Sequence, residues 1–256
     1  MTQEKDKVLK EMHRGRADLH IHTTFSDGMY NPGTVMLHLF SLNVQYEKEH
    51  GYKYADVVAI TDHDEIAGAI RAKEFADENG IDIEVIIGSE VSSKNGHIIA
   101  LNISEQIPRG MSAKDTIDAI HVQNGLAIAA HPYTLLWLAG VRGVGDLITS
   151  HPFDAVEAKN SNITELVSNY YTMFINRKHQ HLPEVGNSDA HFMAAFEKVI
   201  TLFAGRTKDD LLKAIATSQV SARGYHWGLI GIARYLSEKR ALMQFCKTHG
   251  IRPHNL

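Results

Sequence analysis

The densest chemistry in the chain lies in Asp18-Leu19-His20-Ile21-His22-Thr23-Thr24-Phe25-Ser26-Asp27-Gly28. The residues up to Ile21 alternate like a strand, and side chains at i and i+2 of a strand share a face. His20 and His22 therefore aim two imidazoles at one point. Ser26-Asp27-Gly28 reads as a turn that brings Asp27 back toward them. Two imidazoles and a carboxylate so placed make half of a metal site. Two unrelated polar residues on an exposed strand would have the same spacing, so the pair takes its meaning from what the rest of the chain sets beside it.

The elements that must position this stretch can be read in order. Asn31-Pro32 opens a helix that Gly51 ends. The apolar run from Ala55 to Ile60 is a buried strand leading into Thr61-Asp62-His63-Asp64. A helix follows from Glu65 to Glu78. The strand from Ile83 to Ile87 leads into Gly88-Ser89-Glu90-Val91, and Asn95-Gly96 turns into a strand from His97 to Leu101. A helix from Ser112 to about Asn124 precedes a strand at Leu126 to Ala130, which ends at His131-Pro132. A sixth strand covers Ala155 to Ala158. Asn162-Ile163-Thr164-Glu165 resembles a capping box for a helix reaching Gln180. A strand at Pro183 to Gly186 runs into Asn187-Ser188-Asp189-Ala190-His191. One more strand (Val199 to Phe203) and two helices (Asp209 to Ala216, Leu229 to Thr248) complete the chain. Alternating strands and helices argue a mainly parallel α/β fold in one domain, residues 1–256. Residues 1–15 are expected to be a flexible extension and about 205–256 a helical elaboration.

The residues at or just beyond the strand ends are His20, His22, His63, Glu90, His131, Asp189 and His191. His97 opens the strand paired with the one carrying Glu90. Parallel barrels build their active sites on that face. The other ten of the 16 histidines are scattered, and surface or packing roles suit them.

Bulk properties bound the function. The chain of 256 residues is 44% hydrophobic and 22% charged, as in soluble globular proteins. A net charge of −4 gives no global basic field for nucleic acid, although a local groove could still bind it. The single cysteine excludes an internal disulfide and a thiolate zinc module, and fits a cytoplasmic location. The charged stretch from Met1 to Arg16 has no apolar core and reads as no secretory signal. The apolar run from Gly125 to Val141 is broken by His131-Pro132-Tyr133-Thr134, so no membrane span is expected.

Taken in order, Asp-Leu-His-Ile-His with Ser-Asp-Gly, Ile-Thr-Asp-His-Asp, Gly-Ser-Glu-Val, Ala-His-Pro and Asn-Ser-Asp-Ala-His resemble the PHP (polymerase and histidinol phosphatase) superfamily. The match runs from about Arg16 to His191. The resemblance implies a distorted seven-stranded β/α barrel, related to the TIM barrel, with two or three divalent ions (Zn, Mn or Fe). Carried over, it implies one ion held by His20, His22, Glu90 and Asp189. A second would be held by Asp27, His63 and His191, and a third by Glu90, His97 and His131. Nitrogen and carboxylate ligands without thiolates suit those metals. Three such ions against three carboxylates and a bridging hydroxide leave a site of about +2, matched to a phosphate dianion.

The function implied is hydrolysis of a phosphate monoester, such as a nucleotide monophosphate, with that hydroxide as nucleophile. Asp189, His191, His63 and Glu90 would be the catalytic residues. Rival readings are a phosphodiesterase or 5′-3′ exonuclease on short nucleic acid, a non-catalytic metal-stabilised scaffold, and an amidohydrolase. The Ser-Asp-Gly, Thr-Asp-His and Asp-Ala-His triplets speak against the last. Asp62 and Asp64 read either as acceptors that orient histidines or, for Asp64, as a helix-terminal carboxylate. Arg142, Lys159 and Arg223 are the cations nominated for the substrate phosphate. Gly140 to Gly145 lacks Walker spacing, and the stretch from Tyr133 to Gly145 could form a lid. Leu229, Ile232, Ala233 and Leu236 form a stripe expected to pack on the core.

Overall fold

A short apolar run becomes a parallel strand where both its faces are covered, as in β2 (Val57–Ile60), which is buried throughout and lies parallel to β1 (Arg14–Asp18) on one side and β3 (Glu84–Ser93) on the other. The computed structural model describes residues 14–135, 141–226 and 228–249. β4 (Gly96–Leu101) returns antiparallel from β3, and β5 (Leu126–Ala129) is antiparallel to β4. β6 (Ala155–Asn160) and β7 (Glu184–Asn187) resume the parallel order. β8 (Val199–Ala204) lies antiparallel beside β1 and carries β9 (Val220–Gly224) on its outer side.

The sheet thus has nine strands, in the order β7-β6-β5-β4-β3-β2-β1-β8-β9, where seven were expected. The sheet curls until β1 and β7 nearly meet, so it is barrel-like. It is closed mostly by side chains rather than by a ladder. Ile21 and Ala190, just past β1 and β7, form a lone parallel bridge. Leu19 N–H donates to Asn187 Oδ1 at 3.1 Å, and Ser188 N–H to Asp18 Oδ1 at 3.0 Å. Below this junction the gap is filled by β8 and β9. Thr201 Oγ1 donates to the Gly186 carbonyl at 2.8 Å and accepts from its N–H at 2.9 Å. A Cβ at Gly186 would stand 2.8 Å from Val199, so only glycine lets β7 lie this close to the hairpin. β9 escaped the sequence because its side chains are half-buried or exposed and only Val220 is a large apolar residue.

Helices α1 (Pro32–His50), α2 (Ala67–Glu78), α3 (Ala113–Val122), α4 (Leu166–His179), α5 (Lys208–Ala216) and α6 (Leu229–His249) cover the barrel. Asn31 accepts from Thr34 N–H at 2.9 Å, and Gly51 ends α1 in the left-handed region at φ 78°, as expected. Asn162 caps a 3-10 turn, Ile163–Glu165, instead of an α-helix. The capping box fails there because Glu165 turns inward, to Thr134 Oγ1 at 2.5 Å and to Ser168.

The barrel interior is filled from every side by Leu19, Ile86, Ile99, Ile128, Val185 and Phe203, and α5 closes one end with Leu211 and Ile215. On α6 the expected core stripe is not formed at Leu236, which is 57% exposed, and Ala233 is also exposed. The side chains of Leu229 and Ile232 lie outside the described residues. α6 is held instead by Glu238, which accepts from the N–H groups of Met193 and Ala194 at 3.0 Å each. Of the expected N-terminal extension, residues 1–13 lie outside the described residues, and Arg14 already belongs to β1. The C-terminal stretch expected to be helical contains β9. Among the described residues, no helix is long and apolar enough to cross a membrane.

Candidate metal centre

Glu90, 1% exposed, is the hub of the site. Its Oε2 lies 3.1 Å from His20 Nε2, 3.2 Å from His22 Nε2 and 3.2 Å from His63 Nδ1. Its Oε1 lies 2.8 Å from His97 Nδ1 and 3.0 Å from His131 Nε2. Asp189 Oδ1 faces His22 Nε2 at 3.3 Å and His20 Nε2 at 3.4 Å. Asp27 Oδ1 meets His191 Nε2 at 3.2 Å and His63 Nε2 at 3.8 Å. Four overlapping groups have spacing suited to a cation. They are His22, Asp27, His63 and His191; His20, His22 and Glu90; His20, His131 and Asp189; and His63, Glu90 and His97. All nine nominated residues, including His97, therefore lie in one constellation. The groupings share members more than the expected sets: His22 also faces Asp27, and His131 groups with His20 and Asp189.

Local sequence explains how the opening loop is held. β1 ends at Asp18, earlier than expected, because the chain then leaves the ladder for the Ile21 bridge. Thr23 O accepts from Ser26 N–H at 3.0 Å and from Gly28 N–H at 2.9 Å, which folds Asp27 back over His22. A Cβ on Gly28 would stand 2.5 Å from the His22 carbonyl, so the loop needs glycine here. Gly28→Ala is expected to displace Asp27 and so to break up the group that it forms with His22, His63 and His191, whose spacing suits a cation. Metal content should fall by about one ion per chain, and activity about 10- to 100-fold, while circular dichroism stays unchanged.

Asp62 does not orient a histidine directly. Fully buried, it accepts from Thr23 N–H, Thr23 Oγ1 and Ser26 Oγ, each at 2.7 Å. Asp64 accepts from Ser92 N–H at 2.7 Å and adopts φ 53°, a left-handed turn that aspartate tolerates. Both carboxylates hold loops, and Ser26 passes the tie on to His22 Nδ1 at 3.3 Å.

Sequence reasoning missed Glu157. Buried on β6, it accepts from His20 Nδ1 at 3.1 Å, Asn187 Nδ2 at 2.9 Å, Asn160 Nδ2 at 3.1 Å and His131 N–H at 2.9 Å. A signal existed, because the sixth strand was the one run into the site from which only a lysine had been nominated. Asn160 Nδ2 also donates to Asp189 Oδ2 at 3.0 Å. The tautomers follow. His20 donates Nδ1–H to Glu157, His22 to Ser26, and His191 to the Asp189 carbonyl at 3.0 Å, so each presents Nε2 to the cluster.

None of the three nominated phosphate cations lines the cavity over these residues. That cavity, about 420 Å³, is bounded by Asp27, His63, Glu90, Asn162, Glu165 and Phe192, among others, and has no lysine or arginine among its described lining residues. Lys159 follows a break in register after Glu157 and reaches outward to the Gly224 carbonyl at 3.1 Å. Arg142 is exposed, and its carbonyl accepts from His97 N–H at 2.8 Å. Arg223 lines a different cavity. Around the stretch considered as a lid, Tyr133 donates to Asp146 at 2.7 Å and Gly145 N–H to Pro132 O at 2.8 Å; residues 136–140 lie outside the described residues.

The charges are strongly coupled. Burial opposes protonation of His20 and His22, but Asp189 and Glu90 outweigh it, lifting His20 well above the usual range and His22 to about 10. Burial likewise opposes protonation of His131, and Glu90 lifts it to about 9. Burial would raise Glu90 and Asp189, yet the imidazoles hold both well below the ordinary carboxylate range. His63 is lowered, chiefly by burial.

A pocket that retains protons this firmly suits cations. Nε2 of His20, Nε2 of His22 and Nδ1 of His63 are buried, face Glu90 and find no hydrogen-bond partner. The residues fit divalent ions. In the metal-free protein the raised imidazoles stabilise the fold fully below their unfolded value of about 6.5. That contribution is lost as pH rises through about 9 to 10. Metal binding requires neutral imidazoles and so gains with pH. The Tm difference between loaded and metal-free protein is therefore expected to widen from about pH 6 to about pH 9. Calorimetry across that range checks the sign.

The fold and site define a class: an α/β barrel-like protein whose strand ends carry a histidine–carboxylate cluster suited to several divalent ions. A family model described as PHP-associated matches residues 174–220. An uncharacterized protein of Methanocaldococcus jannaschii, MJ1587, is 34% identical over 180 residues, 66% of this chain and 94% of that protein. The 5′-3′ exoribonuclease of Haemophilus influenzae is 34% identical over 96 residues, 36% of this chain and 30% of the enzyme. Among solved structures, PsfC of Pseudomonas syringae superposes with a TM-score of 0.65 at 16% identity, covering 90% of this chain and 99% of that one. A two-domain Bacteroides vulgatus protein containing a predicted PHP-like metal-dependent phosphoesterase gives 0.56 at 18%, covering 83% of this chain and 65% of that one. These two structures speak for the fold. The chain belongs to the PHP superfamily.

Proposed function

We propose that this chain is a metal-dependent phosphoesterase. The observation that carries the reading is the convergence of six histidines and three carboxylates on one open cavity, with imidazole nitrogens turned inward and three of them facing Glu90 without a hydrogen bond. When bound, divalent ions supply Lewis acidity, an acidified water and charge for the phosphate. His20, His22, Glu90 and Asp189 would hold one ion, Asp27, His63 and His191 a second, and Glu90, His97 and His131 a third. Glu157, Ser26 and the Asp189 carbonyl fix the imidazole tautomers, so the site is organised before the ions arrive. No arginine or lysine among the described cavity residues competes with metal for the phosphate, so its charge falls to the cluster.

The cavity volume suits a group of mononucleotide size. A free nucleotide monophosphate, the monoester first expected, presents such a group. So does the end of a short nucleic acid, and the similarity to 5′-3′ exoribonucleases favours this second substrate. A screen with added Mn²⁺ tests both. It should compare nucleotide monophosphates, histidinol phosphate, a cyclic dinucleotide and a 5′-phosphorylated oligonucleotide. Release of phosphate or nucleotide from at least one is the expected result. Silence across all of them, in protein that carries metal, overturns the enzymatic reading in favour of a scaffold.

A further inference from the structure

Away from the metal centre, cations from separate segments gather on one outer face. A cavity of about 220 Å³ is lined by Arg16, Lys198 and Arg223 with Tyr52 and Tyr225. The hairpin makes this meeting: Ile200 pairs with Arg223, and Tyr225 N–H donates to Lys198 O at 2.9 Å. Arg16 lies over the Tyr52 ring at 4.8 Å. A second cavity, about 310 Å³, is lined by Lys159, Arg177, Tyr170 and again Tyr225. Val199, Gly224 and Tyr225 belong to both, so the two form one tract. Tyr170 and Tyr225 are 67% and 71% exposed.

The charge of this tract runs against that of the whole chain, which is −4. Its two carboxylates are already engaged: Glu184 by Arg177 at 3.0 Å, and Glu197 by the Tyr46 hydroxyl. Lys198 and Arg223 have no ion-pair partner among the described residues. The second cavity also adjoins the metal centre. Glu165 lines the metal cavity, while Leu166, Asn169 and Tyr170, in the next helical turn, line the tract. One turn is about 5 Å of helix. Asn169 donates to Asn160 O at 2.8 Å, and Asn160 in turn to Asp189.

Resting on the phosphoesterase reading, we propose that this tract binds the body of a single-stranded nucleic acid whose end reaches the metal centre. Lys198, Arg223 and Lys159 meet backbone phosphates, and Tyr225 and Tyr170 stack on bases. Cations spaced along a groove with aromatic faces between them are what a single strand requires, and base stacking makes the contact tolerant of sequence. The sequence hid this arrangement because its members come from β1, the start of α1's following loop, β6, α4 and the β8–β9 hairpin, and no single stretch is basic.

The test uses the full chain with its metals and a phosphorothioate-protected single strand of about eight nucleotides, followed by fluorescence anisotropy across a salt series. Wild-type protein is expected to bind, and Lys198→Ala/Arg223→Ala to bind at least ~10-fold more weakly, with a salt slope reduced by about 1.4. Tyr225→Ala is expected to weaken the oligonucleotide and leave inorganic polyphosphate unaffected. Lys73→Ala/Lys114→Ala, on distant helices, serves as the charge-matched control. Absence of binding by wild type, equal loss in the control, or no effect of Tyr225→Ala on the oligonucleotide overturns the proposal. Hydrolysis of bis(p-nitrophenyl) phosphate and p-nitrophenyl phosphate by wild type reports the metal centre separately, so either reading can fail alone.

Discussion

Glu90→Gln is expected to abolish hydrolysis, with kcat falling by on the order of 10³-fold or more, about 4 kcal/mol of barrier. Five imidazoles lie within 3.2 Å of this one carboxylate. In the ligand sets proposed above it serves two ions at once, and an amide can neither bridge them nor return their charge. Metal content should fall by more than one ion per chain. The metal-free protein should also suffer. Its imidazoles hold protons because Glu90 and Asp189 are charged beside them, and removing one partner of a buried pair costs about 3 kcal/mol or more. A lower Tm of the metal-free variant at neutral pH, together with its lost metal, distinguishes this outcome from simple misfolding. Circular dichroism shows whether the fold survives.

Glu157→Ala is expected to reduce metal affinity and activity by about 10- to 100-fold, the cost of losing a carboxylate behind a metal-bound histidine. Glu157 touches no expected ion. It fixes the His20 tautomer and gathers Asn187, Asn160 and the His131 backbone N–H into one buried knot. Glu157→Gln is expected to lie between wild type and alanine, because an amide keeps an acceptor for His131 N–H but sets its own N–H groups against other donors. Metal titration of each variant, with kcat measured at saturating metal, separates lost affinity from lost turnover. Activity in Glu157→Ala that returns fully at high metal is the signature of positioning.

Much of this centre could be read from the chain because its ligands follow strand ends, where short apolar runs stop at polar residues. Ile60 leads to His63, Ile87 to Glu90 and Ala130 to His131 in a few residues each, so fold and site were visible in the same pattern. What escaped depended on register or on tertiary contact. Lys159 was nominated by counting along β6, but the irregularity after Glu157 turns it outward and leaves Glu157 as the residue facing the histidines. β9 carries too little apolar periodicity to announce itself, and only its pairing with β8 makes it a strand. The antiparallel course of β3, β4 and β5 was legible at the Asn95-Gly96 turn but not at the β4–β5 connection. The role of Asp62 was invisible because its partners, Thr23 and Ser26, are 36 or more residues away in sequence. Gly28 and Gly186 matter through backbones that approach them, which spacing alone does not reveal.

The central claim is that these nine side chains hold divalent ions on which hydrolysis depends. Elemental analysis of the full chain, purified without chelators and assayed in the same preparation, tests it most directly. About two to three first-row ions per chain, lost together with phosphoesterase activity on chelation and restored together by added metal, is the predicted result. Hydrolysis that persists in protein carrying less than about 0.1 ion per chain would contradict it.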